Sequence, residues 1–310
     1  MTITAWALTT GETGMRTQAR GLAKAVADVV VEKIVPESWP WPWARTRAEP
    51  LKPPWPDLIV SCGRRSAARS IALRRKAGRG IVAVHVQDPR GRAGVFDLVI
   101  AMDHDRIAAG GNVIKIATAL HDLTPENLDE AARLWAGRFS SLGRPLAGVV
   151  IGGDIKGRAF TLSDGRRLLA GLSRLRRAGV ALAITPSRRT PETIRALLAE
   201  TFSADSRVFL WDLEGDNPYR AILALADRLI VTSDSVSMVS EALSAPHPVE
   251  IFDLGFSRHV SFVQHLVERE LVRRFEGDPS PPATLGPVNA TDTAAAAVRA
   301  LLQARTGTSG

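Results

Sequence analysis

The sequence predicts two doubly wound α/β domains facing each other across a cleft. Three observations carry this prediction. Short apolar runs alternate with amphipathic helical stretches, the alternation restarts after Gly143-Arg-Pro145, and 310 residues exceed what one ordinary core holds. The expected domains are residues 1–142 and 143–310, with a final helix able to pack back on the first.

Ile3 to Thr9 reads as a strand, and Thr17 to Asp28 as a helix with Ala19, Leu22, Ala23 and Val26 on one face. Val29 to Val35 is the next strand. Proline then excludes regular structure from Trp39 to Trp43 and from Pro50 to Pro56. Asp57 to Ser61, Ile81 to Val86, Leu98 to Met102 and Val113 to Ala117 follow as strands, with an arginine-rich helix between the first two. Pro125 to Phe139 is helical. In the second half, strands are expected at Leu146 to Ile151, Val180 to Thr185, Val208 to Trp211, Leu229 to Thr232 and Val249 to Phe252. Helices are expected at Gly165 to Ala178, Pro191 to Glu200, Pro218 to Ala226 and Ala290 to Arg305. The two halves share a phrase, Phe96 to Asp103 echoing Ala226 to Asp234. Strand and helix alternating in this way give parallel sheets, whose ligands sit at the carboxyl ends of the strands.

Composition excludes several classes. Apolar residues are 45% and charged residues 23%, as in a globular chain. No apolar run reaches the roughly 18 to 20 residues of a membrane helix. The N-terminus has no secretory-signal pattern, and the single cysteine, Cys62, excludes a disulfide framework and a cysteine-built zinc site. A reducing cytoplasm fits. The net charge of +8 lies wholly in the first 120 residues, with 18 basic and 10 acidic side chains, while the remainder holds 22 of each. Such a patch suits a phosphate-rich partner, nucleic acid or an anionic membrane face, or is a solvated helix face. Aromatic residues are scarce in the basic stretch and no RNA-binding signature occurs, which sets nucleic acid aside.

Four strand-to-helix loops carry chemistry. In Thr9 to Gln18, Gly11 and Gly14 allow a tight turn, and Glu12 is either a general base or a helix-capping glutamate. The loop is neither a Walker A nor a dinucleotide fingerprint. Ile151 to Arg158 places Gly152, Gly153, Lys156 and Arg158 where a phosphate can be cradled. Thr185 to Pro191 supplies Arg188 and Arg189, suited to bidentate phosphate contacts or to a surface pair. The sharpest is Val231 to Leu243, where a strand ends in small hydroxyl residues and a helix begins near Val236. There Ser235 and Ser237 can cap the helix and donate to a diphosphate, and Glu241, one turn on, can accept from two ribose hydroxyls.

Together, Gly11 to Gly14 with Gln18, Ser61 to Arg64, Val86 to Arg90, Ser187 to Pro191, Asn217 to Tyr219 and Thr232 to Glu241 resemble the mitochondrial-fission "elongated mitochondria" family. Its bacterial members are regarded as outer-core lipooligosaccharide glycosyltransferases. The resemblance implies a GT-B architecture of two Rossmann-like domains, the second holding the nucleotide-sugar. It implies diphosphate and ribose contacts at Ser235, Ser237 and Glu241, in a turn that includes Met238, and a base site near Leu210 and Trp211. It puts Gly11, Gly14, Arg16, Gln18 and Arg64 on the acceptor side, in a domain that often touches a membrane. It implies no bound metal or cofactor.

The reaction expected is glycosyl transfer from a nucleotide-sugar, a UDP-sugar first, to a lipid-linked or saccharide hydroxyl at the inner face of a membrane. Glu12 is the first choice as base and Asp88 the second, although an Asp-Pro turn can merely shape its loop. Arg188, Arg189 and helix amides stabilise the leaving diphosphate. His85 packs in its strand, while His104, His247 and His259 could reach a cleft. Two rivals keep the fold. A nucleotide-sugar 2-epimerase needs an acid–base pair that cannot be assigned here. A non-catalytic scaffold, as implied by plant members linked to recruitment of a dynamin-related protein, has no need of the Thr232 to Glu241 turn.

Overall fold

The computed structural model describes residues 2–35, 51–78, 80–155, 157–255, 260–283 and 286–307. Trp39 to Trp43, Arg79, Lys156 and His259 lie outside the described residues. In chain order the elements are β1 (Thr4–Thr9), α1 (Thr13–Val26), β2 (Val29–Ile34), β3 (Leu58–Cys62), α2 (Arg64–Ala77), β4 (Val82–Val86), β5 (Leu98–Met102) and β6 (Val113–Ile116). There follow α3 (Pro125–Ser140), β7 (Leu146–Ile151), α4 (Leu162–Arg177), β8 (Ala181–Pro186), α5 (Glu192–Phe202), β9 (Val208–Leu210), α6 (Tyr219–Leu225), β10 (Arg228–Thr232) and α7 (Val236–Leu243). The last are β11 (Val249–Phe252), α8 (Val260–Glu268), β12 (Arg273–Arg274) and α9 (Ala290–Gly307).

The chain divides into two units, Met1–Asp122 with Asn289–Gly310, and Leu123–Val288. The boundary therefore precedes α3 rather than following it, and α9 belongs to the first unit. Packing explains the difference: Phe139 and Leu142 are buried with Ile222, Leu223 and Val239, all of the second unit.

The first unit is a six-stranded parallel sheet in the order β2-β1-β3-β4-β5-β6. Side-chain alternation along β1 assigns its two faces. Ala5 and Ala7 pack with Leu22 of α1 and with Ala294, Ala295 and Val298 of α9, whereas Trp6 and Leu8 pack with Leu73 of α2. Helix α9 is tied down by polar contacts as well. Thr291 Oγ1 accepts from the His121 amide at 2.9 Å, and Arg305 Nη2 meets Asp97 Oδ1 at 2.8 Å.

The second unit is also a six-stranded parallel sheet, ordered β12-β11-β10-β7-β8-β9. Ala147, Val149 and Ile151 of β7 face α4 and α5 through Leu168, Leu172 and Ile194. Leu146 and Val150 face the opposite cluster, which includes Ile222 of α6 and Val239 of α7. At the amino ends of the strands, Arg228 and Glu250 form a buried ion pair that Arg273 joins. No helix among the described residues is long and apolar enough to cross a membrane.

Candidate functional site

In the second unit the chain leaves β7 for β8 and β9 on one side, then returns to β10, β11 and β12 on the other. The loops after β7 and β10 consequently diverge, and a crevice opens at their carboxyl ends. Both loops are among those singled out in the sequence.

Main-chain and side-chain bonds knit the loops after β7, β8 and β10 together there. The Gly152 amide donates to Thr232 Oγ1 at 2.8 Å, and the Gly153 amide to Asp234 Oδ2 at 2.9 Å. The Thr232 hydroxyl donates to Asp234 Oδ1 at 2.6 Å, and Arg189 Nη2 to Asp234 Oδ2 at 2.8 Å. Thr190, from the loop after β8, donates its hydroxyl to the Gly152 carbonyl. The Asp234 side chain is fully buried while Arg189 is 44% exposed, so Arg189 closes over an acid from the solvent side. Space fixes the two glycines. A Cβ on Gly152 would lie 2.0 Å from Asp234 Oδ2, and one on Gly153 1.9 Å from the Arg189 carbonyl oxygen.

Directly after Asp234 comes the start of α7. Ser235 is its N-cap, extended at φ −130° and ψ 106°, with Oγ accepting from the Met238 amide at 3.3 Å. The amides of Val236 and Ser237 open the helix, where no intrahelical carbonyl is available to them and the helix dipole favours an anion. Glu241 lies one turn on. Tyr219, the first residue of α6, donates its phenol to Glu241 Oε2 at 2.5 Å. Burial, and then the charge of Glu241 and this bond, hold the Tyr219 phenol well above its ordinary pKa.

The predicted base site lies at the far side of the same sheet. β9 is three strands from β10, roughly 14 Å at about 4.8 Å per strand. Its end borders a pocket of about 550 Å³ lined by Trp135, Arg138, Phe209, Trp211 and Asp212, among others. Arg138 stacks its guanidinium 4.6 Å from the Phe209 ring, and Trp211 Nε1 donates to the Glu214 carbonyl at 2.7 Å.

The first unit has its own divergence, between β1 and β3. Gly11 takes φ +103°, and Glu12 is the N-cap of α1 without capping it through its side chain. Its carboxylate instead accepts from the Thr10 hydroxyl and lies 3.8 Å from Arg65 Nη1. Arg64 opens α2 and is exposed. Gly63 takes φ +89°, and a Cβ there would come 2.3 Å from Met15 Sδ.

Several expected site residues have other partners. Helix α1 begins at Thr13, so Gly14, Arg16 and Gln18 lie inside it rather than in a loop. Helix propensity argues against a start beside Gly14, but the Gly11 turn sets it. Arg16 pairs with Glu32 of β2 at 2.9 Å, and the buried Gln18 donates to the Gly14 carbonyl at 3.2 Å. Asp88 Oδ1 accepts from the Arg90 amide at 2.8 Å and so closes its own turn. Gly152, Gly153, Arg189, Ser235, Ser237 and Met238 come together; Arg188 is exposed beside them, and Trp211 stands apart at β9. Asp234, Thr190 and Tyr219 were missed as site residues, although Asp234 stood within the quoted hydroxyl cluster. Among the described residues, no group of three or more His, Cys, Asp or Glu is placed to hold a metal ion.

Comparison with known proteins adds to this geometry. The family model described as Mitochondrial fission ELM1 matches residues 13–302. Mitochondrial fission protein ELM1 of Arabidopsis thaliana is 29% identical over 276 residues, which are 81% of this chain and 65% of the plant protein. The chain thus spans less than two thirds of that relative's length. The uncharacterized protein RP120 of Rickettsia prowazekii is 26% identical over 255 residues, covering 71% of this chain and 72% of its own. Among solved structures, a Listeria monocytogenes protein described as a candidate UDP-N-acetylglucosamine 2-epimerase superposes with a TM-score of 0.59 at 9% identity, covering 99% of this chain and 97% of its own. UDP-GlcNAc 2-epimerase of Neisseria meningitidis, bound to UDP-GlcNAc, gives 0.53 at 11%, covering 97% and 100%. The spinosyn forosaminyltransferase SpnP gives 0.51 at 14%, covering 97% and 95%. The fold is the GT-B fold that glycosyltransferases and nucleotide-sugar epimerases share.

Proposed function

We propose, from the premise that this chain belongs to the Mitochondrial fission ELM1 family, that it is a glycosyltransferase using a nucleotide-sugar, a UDP-sugar first. One observation carries the reading: the loops after β7, β8 and β10 are tied together at the divergence of the second sheet, beside a helix opened by Ser235 and Ser237 and followed by Glu241. A helix start framed by hydroxyls suits a diphosphate, and a carboxylate one turn deeper suits a ribose. The distance along the sheet from the start of α7 to Trp211 suits a nucleoside diphosphate, with the base in the pocket beside that residue.

In this reading the hydroxyl of a lipid-linked or saccharide acceptor, such as a lipooligosaccharide core, attacks the anomeric carbon. Its bond to the diphosphate breaks, and the acceptor proton passes to a carboxylate. Glu12 is the proposed base, its half-exposed carboxylate held by Thr10 and Arg65. Asp88 is second, since its turn already uses one oxygen. Arg188, the exposed neighbour of the engaged Arg189, and the first amides of α7 take up the charge of the leaving diphosphate. No metal or cofactor enters the proposal. The exposed Arg64, Arg65, Arg75 and Lys76 of α2 support work at an anionic membrane surface on the cytoplasmic side.

Thermal-shift screening against UDP, GDP, CMP and UDP-sugars tests the reading, since a ligand at a hundredfold excess over its Kd stabilises by about 2.7 kcal/mol. The expected result is a shift with UDP that Glu241→Ala abolishes. Glu12→Gln is expected to keep that shift and to lower turnover by roughly 10²- to 10⁴-fold, the usual range for a general base; undiminished turnover would remove Glu12 from the mechanism.

The epimerases that share the fold favour a second reading, in which a UDP-sugar is isomerised without an acceptor. Proton NMR of a UDP-GlcNAc incubation without acceptor separates the two, because inversion at C2 changes the coupling of the anomeric proton with no acceptor present, whereas transfer waits for one. Absence of any nucleotide shift would favour a non-catalytic scaffold, in line with a plant relative named for mitochondrial fission rather than for a reaction.

A further inference from the structure

Asn217-Pro-Tyr219 is the one quoted motif to which the nucleotide reading gives no task. Tyr219 is also the only tyrosine in the chain. Its surroundings are specific. The ring packs against the core cluster that contains Ala221, Ile222 and Val239, together with Val236 and Met238 of α7. The Asn217 side chain accepts from the Tyr219 amide at 2.9 Å, which sets the first turn of α6 and the direction of the phenol. That phenol meets Glu241 at 2.5 Å, across 22 residues of sequence.

A glutamate on a helix has three side-chain torsions, and ordering them costs entropy that any ligand contact must offset. A carboxylate oriented before the ligand arrives has already lost that freedom. Tyrosine suits the task because its ring is stiff and its hydroxyl donates. An ionised carboxylate offers about four acceptor positions, enough for a phenol and a diol together. Charge-assisted bonds of this kind are short and strong, as the 2.5 Å separation is.

We propose that Tyr219 is a positioning residue that fixes Glu241 to read the ribose diol, so that the site selects ribonucleoside diphosphates over their 2′-deoxy forms. The proposal rests on the nucleotide reading given above. Selection arises because a deoxynucleotide removes one of the two hydroxyls that the oriented carboxylate would accept from, and sites built to bind a hydroxyl discriminate strongly against its loss.

Calorimetry with UDP, 2′-deoxy-UDP, GDP and 2′-deoxy-GDP tests this on the intact protein. The wild type is expected to prefer the ribonucleotide by roughly 10- to 100-fold, the range of one hydrogen bond to a charged group. Tyr219→Phe is expected to reduce that ratio to about threefold or less while 2′-deoxy-UDP binds within about twofold of wild type. Tyrosine labelled with ¹³C at Cζ gives a single resonance, which is expected to shift with UDP but not with 2′-deoxy-UDP. Equal loss of both nucleotides in Tyr219→Phe would mean a packing role alone and overturn the proposal. An unchanged ratio in Tyr219→Phe would overturn it too, while leaving the nucleotide reading intact. Should Tyr219→Phe not fold, the ratio in Glu241→Gln and the labelled resonance decide: a wild-type ratio there, or a resonance indifferent to UDP, overturns it. Failure of the wild type to bind any of the four overturns both readings.

Discussion

Asp234 shows how one buried carboxylate can organise three loops. It accepts from Thr232, from the Gly153 amide and from Arg189, and each donor comes from a different strand end. Gly152→Ala would drive a Cβ against that carboxylate, so loss of the UDP-induced thermal shift is expected, with melting of the unliganded protein as the control for folding. Another residue governs acid stability. His85 is fully buried, stacks on Phe96 and accepts or donates at 2.9 Å with Ser61, and burial lowers its pKa to about 4. A group depressed on folding stabilises above its unfolded value and loses that contribution as pH falls through the folded one. Stability is therefore expected to fall by about 3 kcal/mol between pH 6.5 and 4 on this account, at about 1.4 kcal/mol per pKa unit. Urea titrations of wild type and His85→Gln across that range should show a flatter pH dependence in the variant. At this scale the sequence was legible where chemistry is carried by residue type in a short span, as in the serines and glutamate from Ser235 to Glu241. It was silent where partners are remote: Tyr219 meets Glu241 and Asp234 meets Arg189 only once the sheet has formed.

Elements were more legible than the contacts between them, because apolar periodicity reports a buried face directly. All the strands expected from Leu146 to Phe252 form. β12 was not expected, since Arg273 and Arg274 are two charged residues with no apolar alternation. What holds it is a buried ion network. Arg228 is 2% exposed and Glu250 is fully buried, Arg273 reaches the same carboxylate at 2.8 Å, and Arg228 also donates to the carbonyls of Asp278 and Pro279. Glu250→Ala would strand the Arg228 guanidinium in the core. The expected cost is about 3 to 5 kcal/mol, against a much smaller loss when Arg228→Met and Glu250→Leu are made together. Chemical denaturation of the single and double variants checks it, and a loss below 1 kcal/mol in the single variant would contradict the account. The start of α1 was misplaced by the sequence for a local reason. Gly14 disfavours a helix interior, yet the Gly11 turn leaves Glu12 extended and the helix running from Thr13.

For the whole molecule, the alternation of strand and helix announced two parallel sheets, and the number of units followed. The boundary between them did not, because proline and glycine near Gly143 mark a turn whether or not a unit ends there. Only packing assigns α3 to the second unit, through Phe139 and Leu142, and α9 to the first. Removing residues 289–310 is therefore expected to expose the α1 face of the first sheet and destabilise that unit, while the second keeps its cooperative melt. Hydrogen exchange read by mass spectrometry would resolve the two, and uniform destabilisation would argue for a single cooperative block.

The same arrangement sets an order of events during synthesis. Leu123–Val288 is contiguous in sequence, whereas the first sheet waits for Ala294, Ala295 and Val298, made after it, to cover one face. A growing chain thus carries an open apolar face on its first sheet even after every residue of the second unit has been made. Holdase chaperones would find their target there, on α1 and β1, until α9 emerges to cover it.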